Sequence, residues 1–464
     1  MKLSVLWTAL FAIILAFAAP ETEAATKPVS DNISKNMVWS GSILVEKPVT
    51  VAKGATLAVK PGTVVRFRKG AGLTIVGVLK AEGRKGSLVT FTSAEPSPAQ
   101  GDWSGINFTD SAKGSLVKTC LIEYAATSIA VAGSSPTVKD CTIQNGVQGI
   151  VLARKSASRV RGNQIKEMKE GGIQCQMGSV PEISGNVIEH AVSYGIYSGK
   201  DAQPSIKGNT ITGCGTGISL SQPVPPVEDN VLKGNKFGIF MTSAGTGFII
   251  RGNRLQDNES GIVCQQFSSP SIEKNEISGS SKEGIVCFRA ASPAITGNRI
   301  WDNDKGISCI QLCNPVIRGN EIYSNKKGVY LDLSSYARVN GNNIYDNKVQ
   351  VELGNMSSDW EYKINKKPVR GVQAQSAGLV SKGRATAPQQ TVKDGADIMG
   401  YVEATGNWWG DKVTAEMEQK GSDANIESFV DYYDVPTRTY EGYTGVYVQD
   451  RIKYSGWKKS KISR

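Results

Sequence analysis

Hydrophobic residues along this chain alternate with polar ones over short stretches of three to six residues. Gly261-Ile-Val-Cys and Asn298-Arg-Ile are representative, and Gly or Asn stands between one stretch and the next. Alternation with a period of two predicts β-strands, since successive side chains of a strand point to opposite faces. No stretch after the N-terminal segment shows apolar residues at helical spacing. The pattern therefore predicts an all-β protein of many short strands.

These stretches repeat with a step of 21 to 23 residues. Each copy has an Asn followed two residues later by Ile or Leu, and a Gly followed by Ile or Val keeps the same step. A unit of about 22 residues cannot bury its apolar side alone, whereas stacked units can, so the repeat predicts a parallel β-helix. Cys120 and Cys141 take the Asn position in two earlier copies. The Asn anchors are Asn163, Asn186, Asn209, Asn230, Asn253, Asn275, Asn298, Asn320 and Asn342.

Both anchors resemble the right-handed parallel β-helix repeats of the pectin-lyase-like superfamily, especially its exported bacterial members of the periplasmic, copper-processing NosD type. Trp39-Ser-Gly-Ser-Ile-Leu-Val resembles the first coils of such proteins, Gly101-Asp-Trp-Ser-Gly-Ile-Asn-Phe a second early motif, and Gly406-Asn-Trp-Trp-Gly-Asp the closing coil. The resemblance covers residues 36–435 and implies a right-handed parallel β-helix, a solenoid. It does not select a function, because this architecture serves lyases, hydrolases, epimerases and adhesins.

The N-terminus has the features of a cleaved signal peptide. Lys2 is followed by an apolar run that ends before Pro20, and small residues at Thr22 and Ala24 predict cleavage after Ala24. We therefore expect an exported protein, periplasmic or extracellular, with no membrane-spanning segment. The predicted segments are a signal peptide at 1–24, N-terminal coils and cap at 36–115, repeats at 116–355, an insertion or mobile loop at 356–400, a closing coil at 401–435 and a basic tail at 436–464.

The amino-acid composition limits the catalytic mechanisms, metal sites and partners that the chain can have. The chain has one His, His190, which excludes mechanisms and metal sites that need two, and no cofactor or metal is expected. Its net charge of +11 favours an anionic polysaccharide or envelope partner, and no feature indicates a specific nucleic acid. Of eight Cys, Cys175, Cys264, Cys287 and Cys309 fall in inward-facing slots. We expect a reduced core ladder there, with a disulfide or a thiolate metal site as alternatives.

The outward-facing positions of the Gly-Ile strand contain few residues that can act as catalytic groups. Of eighteen such positions, only Asp332 is an acid or base near neutral pH, whereas glycoside cleavage needs a carboxylate pair. The remaining face is apolar, which predicts cover by the insertion, by the tail or by another chain, including self-association. The residues thus favour a non-catalytic protein, although a lyase or hydrolase with a site built from loops stays open.

A candidate site lies on the other strand. Trp301, Tyr323 and Tyr345 point outward on three consecutive coils and are predicted to form a stacking platform for sugar rings, with Arg299, Asp302 and Glu321 beside them. Two alternatives predict the same row of aromatic residues. The rings could pair across coils only to stabilise the strands, or this face could be covered by another part of the protein. We therefore predict an exported scaffold that binds polysaccharide or envelope glycan. The alternatives are a polysaccharide lyase or glycoside hydrolase and a NosD-like protein of periplasmic metallocentre assembly.

Overall fold

Three parallel β-sheets wind around one continuous apolar core. They are seen in a computed structural model that describes residues 26–199, 201–221, 225–365 and 400–463. The chain forms a right-handed parallel β-helix of about 14 turns, so the predicted fold class is confirmed. The predicted signal peptide lies outside the described residues, as does most of the predicted insertion.

Sheet A contains the strands that follow the repeat Asn. Within each strand the residue two positions after the Asn is buried, which aligns Ile or Leu side chains in register along the core. Its strands are Lys27–Val29, Ser42–Val45, Val64–Phe67, Val89–Ser93, Cys120–Glu123, Thr142–Gln144, Gln164–Lys166, Val187–Glu189, Thr210–Thr212, Val231–Lys233, Arg254–Gln256, Glu276–Ser278, Arg299–Trp301, Glu321–Tyr323 and Asn343–Tyr345.

Sheet B contains the Gly-Ile strands. A Cβ atom at Gly284 would lie 2.7 Å from the carbonyl oxygen of Gly306 on the next coil, so only Gly permits this approach of neighbouring coils. Its strands are Val49–Val51, Leu73–Ile75, Ile106–Thr109, Thr127–Ala132, Gln148–Ala153, Gly171–Cys175, Tyr194–Ser198, Thr216–Leu220, Phe237–Thr242, Ser260–Gln265, Glu283–Phe288, Lys305–Ile310, Lys327–Asp332, Val349–Leu353 and Phe429–Val430.

Sheet C closes the third side of each coil. Its strands alternate in the same way, with a central aliphatic side chain buried in most of them. They are Met37–Trp39, Thr56–Val59, Val78–Glu82, Leu116–Lys118, Thr137–Lys139, Arg159–Arg161, Glu182–Ser184, Ser205–Lys207, Val227–Glu228, Thr246–Arg251, Ser269–Glu273, Ala294–Thr296, Val316–Arg318 and Arg338–Asn340.

The repeat Asn residues form a buried ladder at the corner between sheets C and A. Asn253 donates to the Oδ1 atom of Asn275 through both its backbone N–H and its Nδ2 atom, at 2.9 and 3.0 Å. Its Nδ2 atom also reaches the carbonyl oxygen of Val227 at 3.0 Å. Asn407 continues the ladder beyond Asn342, although 65 residues separate the two in sequence. The ladder therefore satisfies buried polar groups at each turn, which unpaired would be costly.

The inward cysteines belong to the core. Cys264, Cys287 and Cys309 are fully buried and are register partners on consecutive coils. All eight cysteines are free in this structure, and the three in register form the predicted ladder in the core. The reason is geometric, because side chains in register point the same way rather than toward each other.

The C-terminal end departs from the all-strand expectation. Two helices, α1 (Ser358–Asn365) and α2 (Asp411–Lys420), follow the last repeats. Trp409 is fully buried and contacts Phe429, so this segment closes the open end of the core. No helix among the described residues is long and apolar enough to cross a membrane.

The basic tail packs back onto the molecule and is not simply a solvated terminus. Arg451–Lys453 pairs in parallel with Tyr401–Glu403, and Thr437–Arg438 pairs antiparallel with Tyr447–Val448. Ile452 is buried, and its backbone N–H donates to Asp431 at 2.7 Å. The tail therefore carries enough apolar contact and backbone pairing to be held against the closing segment.

Candidate functional site: an aromatic ladder on sheet A

Three aromatic side chains stand in a row on the outer face of sheet A. Trp301, Tyr323 and Tyr345 are register partners at the ends of consecutive strands. Ring centroids are 5.9 Å apart between Trp301 and Tyr323 and 5.1 Å between Tyr323 and Tyr345, with planes within 7° of parallel. Both distances exceed the about 3.5–4.0 Å of closest contact between ring faces, so neighbouring rings are not in full face-to-face contact. This aromatic ladder therefore leaves part of each ring accessible, and all three residues are half-buried.

Trp408 extends the ladder at its C-terminal end. Its ring lies 5.2 Å from that of Tyr345, tilted by 47°. Trp409 fills the end of the core, whereas Trp408 packs against Tyr345, a distinction that the closing-coil motif alone did not predict. The signal was available, because Asn407 stands in the repeat Asn position and so places Trp408 beside Asn343 at the start of a strand.

A row of alternating charges runs beside the aromatic ladder. Arg299 lies between Glu276 and Glu321, with the closest nitrogen–oxygen distance 3.6 Å to each. Its guanidinium carbon is 5.5 Å from the centre of the Trp301 ring, within range of a cation–π contact. The structure thus brings together the predicted Trp301, Tyr323, Arg299 and Glu321.

Glu321 differs from the expectation of an exposed contact residue. It is 8% exposed, because the tail residue Lys461 and the Tyr345 side chain cover it. The Tyr345 hydroxyl donates to Glu321 Oε1 at 2.8 Å, and Lys461 forms an ion pair with the same oxygen. Burial and the hydrogen bond to Glu321 raise the pKa of Tyr345, and the hydrogen bond to Glu321 raises the pKa of Lys461.

Asp302 lies beside the aromatic ladder, in the corner between sheets A and B. It is exposed and has a φ of 54°, a left-handed conformation that Asp tolerates. It lines a shallow depression of about 340 Å³ together with Asp304 and Lys326. Asp346 occupies the equivalent position two coils on, with a φ of 53°. Each of these two aspartates directly follows a residue of the aromatic ladder in sequence, Trp301 or Tyr345.

A second cluster, which the sequence analysis missed, lies on the outer face of sheet B. Lys305 pairs with Glu283 at 3.2 Å and Lys327 pairs with Glu352 at 2.8 Å. Both ammonium groups lie over the Tyr330 ring, at 5.2 and 5.1 Å from its centre. The lysines precede the repeat Gly, a position that the inspection of outward slots left out.

Tyr330 completes this cluster. Its hydroxyl donates to Asp332 Oδ2 at 2.9 Å, and burial together with Asp332 raises its pKa. The tail lies against the last coil, where Arg438 donates to the carbonyl oxygen of Leu353 at 3.2 Å. Asp332, the one acid among the eighteen outward slots, is therefore half-buried and paired.

The single histidine is an exposed residue with a partner. His190 has a φ of 53° in the corner between sheets A and B, and its Nδ1 atom lies 3.0 Å from Glu167 Oε1. The pair arises because Glu167 occupies the equivalent turn position, one coil earlier, with a φ of 54°.

Two family models match parts of the repeat region. Residues 226–413 match the family described as periplasmic copper-binding protein (NosD), and residues 89–237 match the right-handed β-helix region. No curated protein shows significant sequence similarity to the chain.

Several solved structures are similar to parts of this chain. The catalytic unit of a GH87 α-1,3-glucanase from Streptomyces thermodiastaticus is 13% identical, with a TM-score of 0.41 over 62% of this chain and 59% of that one. This chain thus spans less than two thirds of that unit. The A-module of the Azotobacter vinelandii mannuronan C-5 epimerase AlgE4 is 14% identical, with a TM-score of 0.30 over 69% and 86%. An alginate lyase from Paenibacillus is 14% identical, with a TM-score of 0.22 over 64% and 92%.

The described residues do not fit a copper site. Sulfur ligands suit Cu(I), and Met241 Sδ lies 3.8 Å from Cys264 Sγ in the core. Burial, however, raises the pKa of the Cys264 thiol, which disfavours the thiolate that would bind metal. Among the described residues, no three His, Cys, Asp or Glu side chains come together as metal ligands. The chain is a right-handed parallel β-helix protein whose residues 226–413 match the NosD family.

Proposed function

We propose that this protein is an exported, non-catalytic β-helix scaffold that binds polysaccharide or envelope glycan through the aromatic ladder. The observation that carries the proposal is the row of Trp301, Tyr323 and Tyr345, nearly parallel and half-exposed on an outer face. Aromatic rings offer large rigid contact area at low cost in conformational entropy. Stacked pairs also stabilise the sheet by about 0.5–1.5 kcal/mol each, so the ladder serves the fold whether or not a ligand binds.

Loss of binding in a ladder variant tests this role. We expect a Trp301→Ala/Tyr323→Ala/Tyr345→Ala chain to lose binding to any glycan that wild type retains on a glycan array. A Phe237→Ala/Phe240→Ala chain is the matched control, because it removes an aromatic pair from the outer face of sheet B. Thermal unfolding of each variant separates lost binding from lost structure. Unchanged binding by the folded triple variant would show that the aromatic ladder is structural only.

Export is part of the same proposal. It is supported by the predicted signal peptide and by the periplasmic description of the matched NosD family. Mass spectrometry of the protein recovered from a bacterial periplasm or medium should show an N-terminus at Ala25. Recovery of the intact chain in the cytoplasm would contradict export.

A second candidate function is supported by the cluster on sheet B. In a β-elimination, Lys305 and Lys327 would neutralise the uronate carboxylate. The Tyr330–Asp332 pair would take the proton from the adjacent carbon and return it to the leaving glycosidic oxygen, as the carbon–oxygen bond breaks and a carbon–carbon double bond forms. The raised pKa of Tyr330 opposes its use as a base near neutral pH, which is why this function ranks second. Incubation with a panel of uronate polysaccharides, followed by ultraviolet absorbance of unsaturated products, tests it. Tyr330→Phe should abolish any activity seen.

A further inference from the structure

Glu321 and Tyr345 form a small site for a positive charge at the end of the aromatic ladder. The Glu321 side chain is 10% exposed and lies between Arg299 on one side and the tail on the other. The Tyr345 hydroxyl donates to its carboxylate, and the Tyr345 ring stands beside it. A carboxylate next to an aromatic face is the combination that recognises an ammonium group.

The protein's own tail occupies this site. The Lys461 ammonium pairs with Glu321, donates to the Tyr345 hydroxyl at 3.2 Å, and lies 4.7 Å from the centre of the Tyr345 ring. Two hydrogen bonds join the backbone of Ile462 to the side chain of Asn343 and hold the tail in place. The Ile462 N–H donates to Asn343 Oδ1 at 2.8 Å, and Asn343 Nδ2 donates to the Ile462 carbonyl oxygen at 3.0 Å. The Lys461 side chain remains 49% exposed, so it lies at the surface and not in the core.

The charge around the aromatic ladder is acidic, in contrast to the whole chain. Asp302 and Asp346 directly follow Trp301 and Tyr345 in exposed turns, and Glu276 lies on the adjoining strand. Arg299 is engaged between two glutamates. The net charge of +11 therefore does not describe this surface, which disfavours an anionic glycan and favours a cationic one.

We propose that the site of Glu321 and Tyr345 binds the primary ammonium group of an amino sugar, and that Lys461 occupies it as an internal substitute until such a glycan displaces the tail. This inference rests on the proposed function and names its ligand class, a polysaccharide with free amines. The rings would contact the sugar faces while the carboxylate receives the charge. Since the tail must leave first, the apparent affinity is the intrinsic affinity multiplied by the fraction of molecules in which the tail is undocked.

Calorimetric titration of the mature chain tests the proposal. The probes are a glucosamine hexamer and an N-acetylglucosamine hexamer, below the pKa of the sugar amine. Wild type should bind the free amine about tenfold more tightly, the size of one charge-assisted hydrogen bond. Lys461→Met should strengthen glucosamine binding about fivefold by removing the internal competitor. Lys459→Met is the matched control, because Lys459 pairs with Glu418 away from the site and should change nothing.

Glu321→Gln separates this inference from the proposed function. It keeps the side-chain volume and should bind both hexamers equally, with unfolding temperature measured alongside. Equal binding of both hexamers by wild type would overturn the amino-sugar inference and leave the aromatic ladder as a glycan site. Binding of neither hexamer by wild type or by Lys461→Met would overturn the amino-sugar inference. The glycan array, which also displays other sugars, would then decide the proposed function separately.

Discussion

Ser280 interrupts a second ladder of asparagines, which lies at the corner between sheets A and B. Asn235 donates to Asn258 Oδ1 through its backbone N–H and its Nδ2 atom, at 2.9 and 3.1 Å. One coil after Asn258 the position holds Ser280, whose buried hydroxyl has no hydrogen-bond partner among the described residues. Its backbone N–H still donates to Asn303 Oδ1 at 2.9 Å. Replacing Ser280 by Asn should therefore complete the ladder.

The hydrogen bonds of another Asn in this ladder show how much stability Ser280→Asn should add. Asn325 accepts hydrogen bonds from the backbone N–H and Nδ2 atoms of Asn303, at 3.0 and 2.9 Å, and donates to Asn347 and to a backbone carbonyl. Ser280→Asn would add up to four such bonds, each with a net worth of about 1 kcal/mol. Ordering the new side chain and imperfect geometry reduce the sum, so we expect a stabilisation of about 2 kcal/mol.

Urea unfolding and amide hydrogen exchange measure this gain. The unfolding midpoint should rise and the amide of Asn258 should become more protected, because it acquires an acceptor on the next coil. Ser281→Asn is the matched control, since the neighbouring position is exposed and makes no rung. An unchanged midpoint and unchanged protection for Ser280→Asn, with both variants alike, would refute the inference that the ladder contributes at each rung.

Three further predictions concern the repeat, the core and the tail. Gly284→Ala should lower stability by about 3 kcal/mol in urea, since the new Cβ would meet the backbone of the next coil. Gly297→Ala should cost only about 1 kcal/mol, because its φ is +68° but the new Cβ would meet only the Lys274 side chain, at 3.6 Å. Cys287→Ser should cost about 1–3 kcal/mol, because it buries a hydroxyl in the apolar core, and thiol reagents should label the native core cysteines only after unfolding. The hydrogen-bonded ion pair with Glu321 raises the pKa of Lys461 above its usual 10.5. The ion pair therefore stabilises the docked tail fully below pH 10.5, and this stabilisation is lost as the pH rises through the pKa that Lys461 has in the folded protein. Protease cleavage of wild type after Trp457 should increase as the pH rises above the pKa of Lys461. Cleavage of the Lys461→Met variant should not change with pH in this way.

A large part of the fold follows from the sequence because the molecule is periodic. In a β-helix, a residue contacts its equivalent one coil away, so a spacing of 21 to 23 residues translates directly into spatial contact. The Asn ladder, the Gly positions and the buried cysteines could all be derived in this way. The row of Trp301, Tyr323 and Tyr345 followed from the same rule.

Only the tertiary structure shows which non-repeating segments pack against the outer faces of the coils. Lys461 meets Tyr345 across 116 residues, and Asn407 and Trp408 extend two ladders after a long interruption of the repeat. The contact of Lys461 joins segments without a shared period, so no spacing in the sequence predicts it. Asn407 and Trp408 keep the repeat motif but not its spacing, so the motif alone points to their place. These contacts depend on how the closing segment covers the end of the core and where the tail then runs. Periodic hydrogen bonding thus determined the scaffold from the sequence, and non-repeating packing decided the charge and access of the candidate site.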